Sequence, residues 1–289
     1  MTKTTRSAAP WVRKSAGSLL AAALFLLSPP AVAEVPVAKS LDLAGYTVAF
    51  LADPALPFTQ SLVVLKDQEE VYEGPFVAPL SALAAEPGSR NAAFSLPPGT
   101  DVTGDGTPDL ALTGFTGGAH CCFSLQVLSL GTEVRLLADI AGEDSPPLLK
   151  QITEGRAYEI ELADWTFAYW HAPFVEAPAP RVILRWEESR YVPALDLMRA
   201  PPLSENELER LTEEIAADMA ETGKPVPALW RALLERIYSG NSDQALTLLQ
   251  QAWPEDLPGR EIFWLRFGAQ LGLSPYYPSL ARLNGWPAF

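Results

Sequence analysis

Asp101, Thr103, Asp105, Thr107 and Asp109 stand at alternate positions, with Gly104 and Gly106 between them. Alternate residues of a tightly curled loop face inward, and a hard cation takes about six to eight oxygens at about 2.3–2.6 Å. Three carboxylates, the Thr103 hydroxyl and the Thr107 backbone carbonyl supply most of such a shell. The two glycines permit the curl. Without a cation the three carboxylates repel one another. The twelfth position is Leu112 instead of a bidentate Glu, and an apolar strand follows instead of a helix, so the loop is not an EF-hand. One hard cation is expected.

The second chemical cluster is His120-Cys121-Cys122, preceded by Gly117-Gly118-Ala119. These are the only two cysteines and one of two histidines. Adjacent cysteines cannot join distant segments. Three readings remain open: two thiols on opposite faces of a strand, a vicinal disulfide, or soft-metal ligands with His120. The other histidine, His171, follows Trp170 in Trp165-Thr-Phe-Ala-Tyr-Trp-His171. His120, Trp170 and His171 could share one rim able to hold a sugar or peptide, or serve as core packing.

These residues must be positioned by β-structure. Ser61–Val71, Ser124–Val134 and Arg181–Tyr191 are eleven-residue echoes, each a short apolar strand, a polar turn and a resuming strand. A further strand precedes each, beginning at Tyr46, Asp109 and Glu159. The oxygen loop leads into the second. In the third copy the corresponding stretch, 153–159, keeps only Glu159 as a carboxylate, and nothing comparable precedes Tyr46, which is why one ion is expected.

The loop D-V-T-G-D-G-T-P-D leading into a strand resembles FG-GAP and VCBS-type calcium-binding repeats, as in the N-terminal propeller of integrin α chains. The likeness is close over residues 101–115 and loose over the repeats. It implies propeller blades, with calcium held by the Asp101, Asp105 and Asp109 side chains and the Thr107 carbonyl. Thr103 departs from the usual Asn or Asp. Three blades are too few for a regular closed propeller, which takes at least about four. The expected fold is a mainly β domain of three blade-like antiparallel repeats at 34–200, in an open ring or sandwich, plus a small all-α subdomain at 201–289. Ser204-Glu-Asn-Glu207 is a capping box. Four helical stripes follow, through Leu208–Met219, Leu229–Ile237, Ala245–Ala252 and Ile262–Leu271.

Residues 1–33 read as a signal peptide. Lys3, Arg6, Arg13 and Lys14 precede the apolar run Ser18–Leu27, and Ala31-Val-Ala33 supplies a cleavage site. The run is too short to span a bilayer. Removing those four basic residues and no acid shifts the formal charge from −14 to −18. That balance disfavours nucleic acid and anionic lipid. A periplasmic or extracellular location follows, with no membrane insertion after cleavage. No catalytic motif is assembled. The expected function is an exported calcium-binding protein whose β-repeat module holds a protein or glycan partner. The alternative is an exported enzyme or redox protein centred on His120-Cys121-Cys122.

Overall fold

The computed structural model describes residues 36–52, 59–78, 80–89, 91–118, 121–155 and 157–287; the expected export segment and His120 lie outside them. Val35–Phe289 form one compact unit. Its described strands are β1 (Val37–Leu43), β2 (Tyr46–Ala52), β3 (Thr59–Lys66), β4 (Glu69–Val77), β5 (Asp109–Phe115), β6 (Phe123–Leu130), β7 (Val134–Glu143), β8 (Leu148–Lys150), β9 (Glu159–Ala163), β10 (Arg181–Glu187) and β11 (Arg190–Pro193). The helices are α1 (Leu195–Met198), α2 (Glu205–Thr222), α3 (Pro227–Tyr238), α4 (Ser242–Ala252), α5 (Arg260–Leu271) and α6 (Tyr277–Asn284).

The strands form three open antiparallel sheets, β1–β4, β5–β7 and β8–β11, each with neighbours in chain order. The three echoes are the β3–β4, β6–β7 and β10–β11 hairpins, one in each sheet, and β2, β5 and β9 are the strands that precede them. The second sheet is extended by a bridge between Phe94 and Leu112. There the Thr113 N–H donates to Ala93 O at 2.7 Å and the Ser95 N–H to Ala111 O at 3.0 Å. The fold is thus mainly β with a helical C-terminal part, and no sheet closes into a barrel.

Two cores follow from the alternation of side chains along β5 and β6. Leu110, Leu112, Leu128 and Leu130 pack with Val48, Phe50, Leu62 and Phe76 of the first sheet. Ala111, Leu125 and Val127 pack with Ile160 and Val182 of the third sheet and with the helices. The middle sheet is therefore covered on both faces, which explains its nearly unbroken apolar runs. A one-residue slip of β5 would exchange two leucines for Ala111 and Thr113, so burial fixes the register. Tyr46 Oη donates to Gly131 O at 2.8 Å and Gln126 Nε2 to Pro75 O at 3.1 Å, tying the first two sheets together.

The helical part shares the second core. Ile215, Met219, Trp230, Leu233 and Phe267 are buried in it beside strand residues. Ser204 closes α2 with the expected capping box, and Gly223 ends it at φ +64°. Pro227 opens α3 at its first turn. The carboxylate of Asp164, just past β9 and buried, accepts bonds from the hydroxyls of Tyr238, Ser274 and Thr166, locking sheet to helices. The expected stripes err at Leu246, Ile262 and Leu265, which are exposed. In these short helices neighbouring elements cover a narrower arc than the apolar pattern offers.

Candidate metal centre

The oxygen loop runs into the first residue of β5, so Asp109 is fixed by the β5–β6 ladder. It is 1% exposed. Its Oδ2 accepts the Val102 N–H at 2.9 Å and the Thr103 N–H at 3.3 Å. The third repeat builds the same device. There Glu159 Oε2 accepts the Ile152 N–H at 3.0 Å and the Thr153 N–H at 3.3 Å, from the same offsets along the chain. Position nine therefore closes the loop in both repeats.

The second oxygen of each carboxylate is buried without a hydrogen-bond partner, but only one of the two has a cation beside it. Glu159 Oε1 lies 3.7 Å from Arg185 Nε. Arg185 sits one register step beyond the Ile160–Leu184 pair, directly across from Glu159. Across from Asp109 stands Ser129, buried and uncharged, and Asp109 Oδ1 has no hydrogen-bond partner. In the first repeat, one step beyond the Thr47–Leu65 pair, Lys66 Nζ lies 5.1 Å from the Tyr46 ring centre. Two of the three repeats thus carry their own cation at this position. The one with the acidic loop does not.

The electrostatics follow. Burial pushes the Asp109 carboxyl up to about 6, with the charges of Asp101 and Asp105 adding to it, against the two backbone N–H bonds that hold it down. The Tyr191 hydroxyl is buried without a partner, and burial together with the charges of Asp109 and Glu159 keeps it from ionising. Asp105 is held below the usual carboxylate range by the Thr107 hydroxyl and N–H.

The outer carboxylates are turned to the loop's own amides. Asp101 accepts N–H bonds from Gly104 at 2.6 Å, Asp105 at 3.2 Å and Gly106 at 2.8 Å. Asp105 Oδ1 accepts the Thr107 N–H at 2.8 Å. Thr103 Oγ1 lies 3.5 Å from both Asp101 and Asp109 oxygens. Among the described residues no three acidic, His or Cys side chains converge as a ready cage. The fit to a hard cation rests on the donor chemistry and on the orphaned, buried Asp109 Oδ1. A cavity of about 510 Å³ reaches from Asp101 and Thr103 to Glu159 and Arg185.

No family model, curated protein or solved structure matches the chain. The reading of the site therefore rests on its own residues.

Cys121 and Cys122 are joined as a vicinal disulfide across a cis peptide, with Cα atoms 3.0 Å apart. They are exposed at the β5–β6 turn. The Thr116 hydroxyl donates to Cys121 O and accepts the Cys122 N–H, both at 2.7 Å. Below the turn, Phe115 and Phe123 stack at 4.4 Å. The expected rim divides. Trp170 turns inward, edge-on to Trp230 at 5.5 Å and to Phe263 at 5.7 Å, while Trp165 and Tyr169 gather on Phe174. His171 is exposed beside Trp170, with ring centres 4.6 Å apart. Ser129, Arg185 and Tyr191 were missed in the sequence. The available signal was the cation near the end of the first strand in the first and third echoes, Lys66 and Arg185, which the second echo lacks.

Proposed function

We propose that this chain is an exported calcium-binding protein, in which one ion completes the middle of three blade-like repeats and the β module serves as a binding scaffold. The observation that carries it is the contrast at position nine. Glu159 is ion-paired with Arg185 at 3.7 Å, whereas the equally buried Asp109 faces the uncharged Ser129 and has no cationic partner among the described residues. A buried carboxylate is stable when paired or metal-bound and costly otherwise. Asp101, Thr103 and Asp105 surround the same loop, and an all-oxygen donor set suits calcium over softer metals. In the bound form Asp101, Asp105 and Asp109 contribute side-chain oxygens and Thr107 its carbonyl. The blade reading draws support from three chain-ordered sheets stacked face to face about shared cores.

The ion acts on stability, because it binds the folded state. At a hundredfold excess over Kd it adds about 2.7 kcal/mol. The experiment is a melting curve in EDTA against one in calcium. An upward shift with calcium, lost in Asp109→Asn, supports the reading; superimposed curves remove it. Export is tested by the N-terminus of the mature protein, expected at Glu34.

The alternative redox reading draws on one observation, the joined and exposed Cys121–Cys122 pair. Thiol titration of the denatured, unreduced protein decides it. Two free thiols would remove it.

A further inference from the structure

A second cavity, of about 380 Å³, opens between the Trp170–His171 turn and helices α3 and α5. Its floor is aromatic: Trp230 and Phe263 are buried, and Trp170 stands edge-on to both. Its mouth is cationic. Lys224 and Arg266 line it from exposed positions, and neither forms an ion pair among the described residues. No Asp or Glu lines it, in a chain of net charge −14.

One further feature points to an anion. The twelve-residue α5 begins at this cavity; its N-cap, Gly259, supplies no side-chain acceptor to the first-turn amides, and the carboxylate of the first turn, Glu261, is ion-paired with Arg260 at 3.4 Å. Such a terminus carries about half a positive charge and free N–H donors. The opposite wall is formed by Trp170 and the exposed His171.

The geometry points to a binding site for a small aromatic carboxylate, its ring laid among Trp170, Trp230 and Phe263 and its carboxylate held by Lys224, Arg266 and the α5 terminus. The volume lies at the small end of the usual ligand range of about 300–1,000 Å³, which suits a single ring system. Cationic side chains and free backbone N–H groups are the donors a carboxylate uses, and the charged bonds are the stronger ones. The site shares no residue with the calcium loop, so the two readings stand or fall separately.

The test is calorimetric titration of the whole mature chain with 3-phenylpropionate, beside its neutral match 3-phenylpropan-1-ol and its cationic match 3-phenylpropylamine. The carboxylate is expected to bind at least about tenfold tighter than the alcohol, and the amine not to bind. Lys224→Gln with Arg266→Gln should weaken the carboxylate about tenfold and leave the alcohol unchanged. Both cations are exposed, so the melting temperature should hold. Equal affinity for acid and alcohol, no heat for the acid at millimolar concentration, or variants that bind it as well as the parent would each overturn the proposal. A tripeptide ending in Phe that binds tighter than the free acid would also overturn it, in favour of a peptide terminus.

Discussion

Replacing Asp109 by Asn separates the two roles of that carboxylate, because calcium cancels the effect seen without it. Asn keeps one oxygen to accept the Val102 and Thr103 N–H bonds and puts an amide where Oδ1 had no partner. Burial raises the Asp109 carboxyl from an ordinary 3.8 to about 6. At about 1.36 kcal/mol per unit, carrying that charge without a cation costs at most about 3 kcal/mol. In EDTA at pH 7.5 the Asn variant should therefore melt higher than the parent, by roughly 6–12 °C at most. In excess calcium the parent gains about 2.7 kcal/mol that the variant forfeits, and the advantage closes. The pH dependence has a definite sign. A carboxyl raised in the folded state binds a proton there that the unfolded chain has released. The deficit is absent below the unfolded value, grows between 3.8 and about 6 and is complete above. The EDTA advantage should thus vanish by pH 4. A variant less stable than the parent in EDTA at pH 7.5, or an advantage independent of pH, would refute the reasoning.

Ser129→Arg should build into the second repeat the cation that Arg185 supplies to the third, so its melting temperature becomes indifferent to calcium; overpacking costs about 1–3 kcal/mol, and the calcium shift is the readout. Arg185→Gln leaves Glu159 buried and unpaired and should cost about 3 kcal/mol in a urea titration, most of it restored by adding Glu159→Gln. Asp164→Ala strips the acceptor from the buried Tyr238 and Ser274 hydroxyls and should lower stability by about 2–4 kcal/mol, read from the guanidinium midpoint.

The hairpins and helices were legible because they are local. Alternating residues at 61–71, 124–134 and 181–191 specify strands, and the Ser204 capping box and Gly223 specify the limits of α2. The loop residues Asp101 to Asp109 were legible by spacing alone. What escaped depends on register between strands. Laid side by side, the echoes set Arg185 against Leu128, one residue from its true counterpart; only the hairpin register places it where Ser129 stands in the second sheet. The cationic, aromatic cavity was half visible as Trp170 and His171. Lys224 and Arg266 come from other elements more than fifty residues away, and no local pattern links them. Leu246, Ile262 and Leu265 misled because an apolar residue at helical spacing is as compatible with an exposed face as with a core.

The central claim, one ion held at the Asp101–Asp109 loop, is tested most directly by calorimetric titration of calcium into chelator-stripped protein. The account predicts one calcium per chain. Binding should be abolished by Asp109→Asn, strongly weakened by Asp105→Ala and only modestly affected by Thr103→Ala. Absence of binding at millimolar calcium, or binding that survives Asp109→Asn, would contradict it.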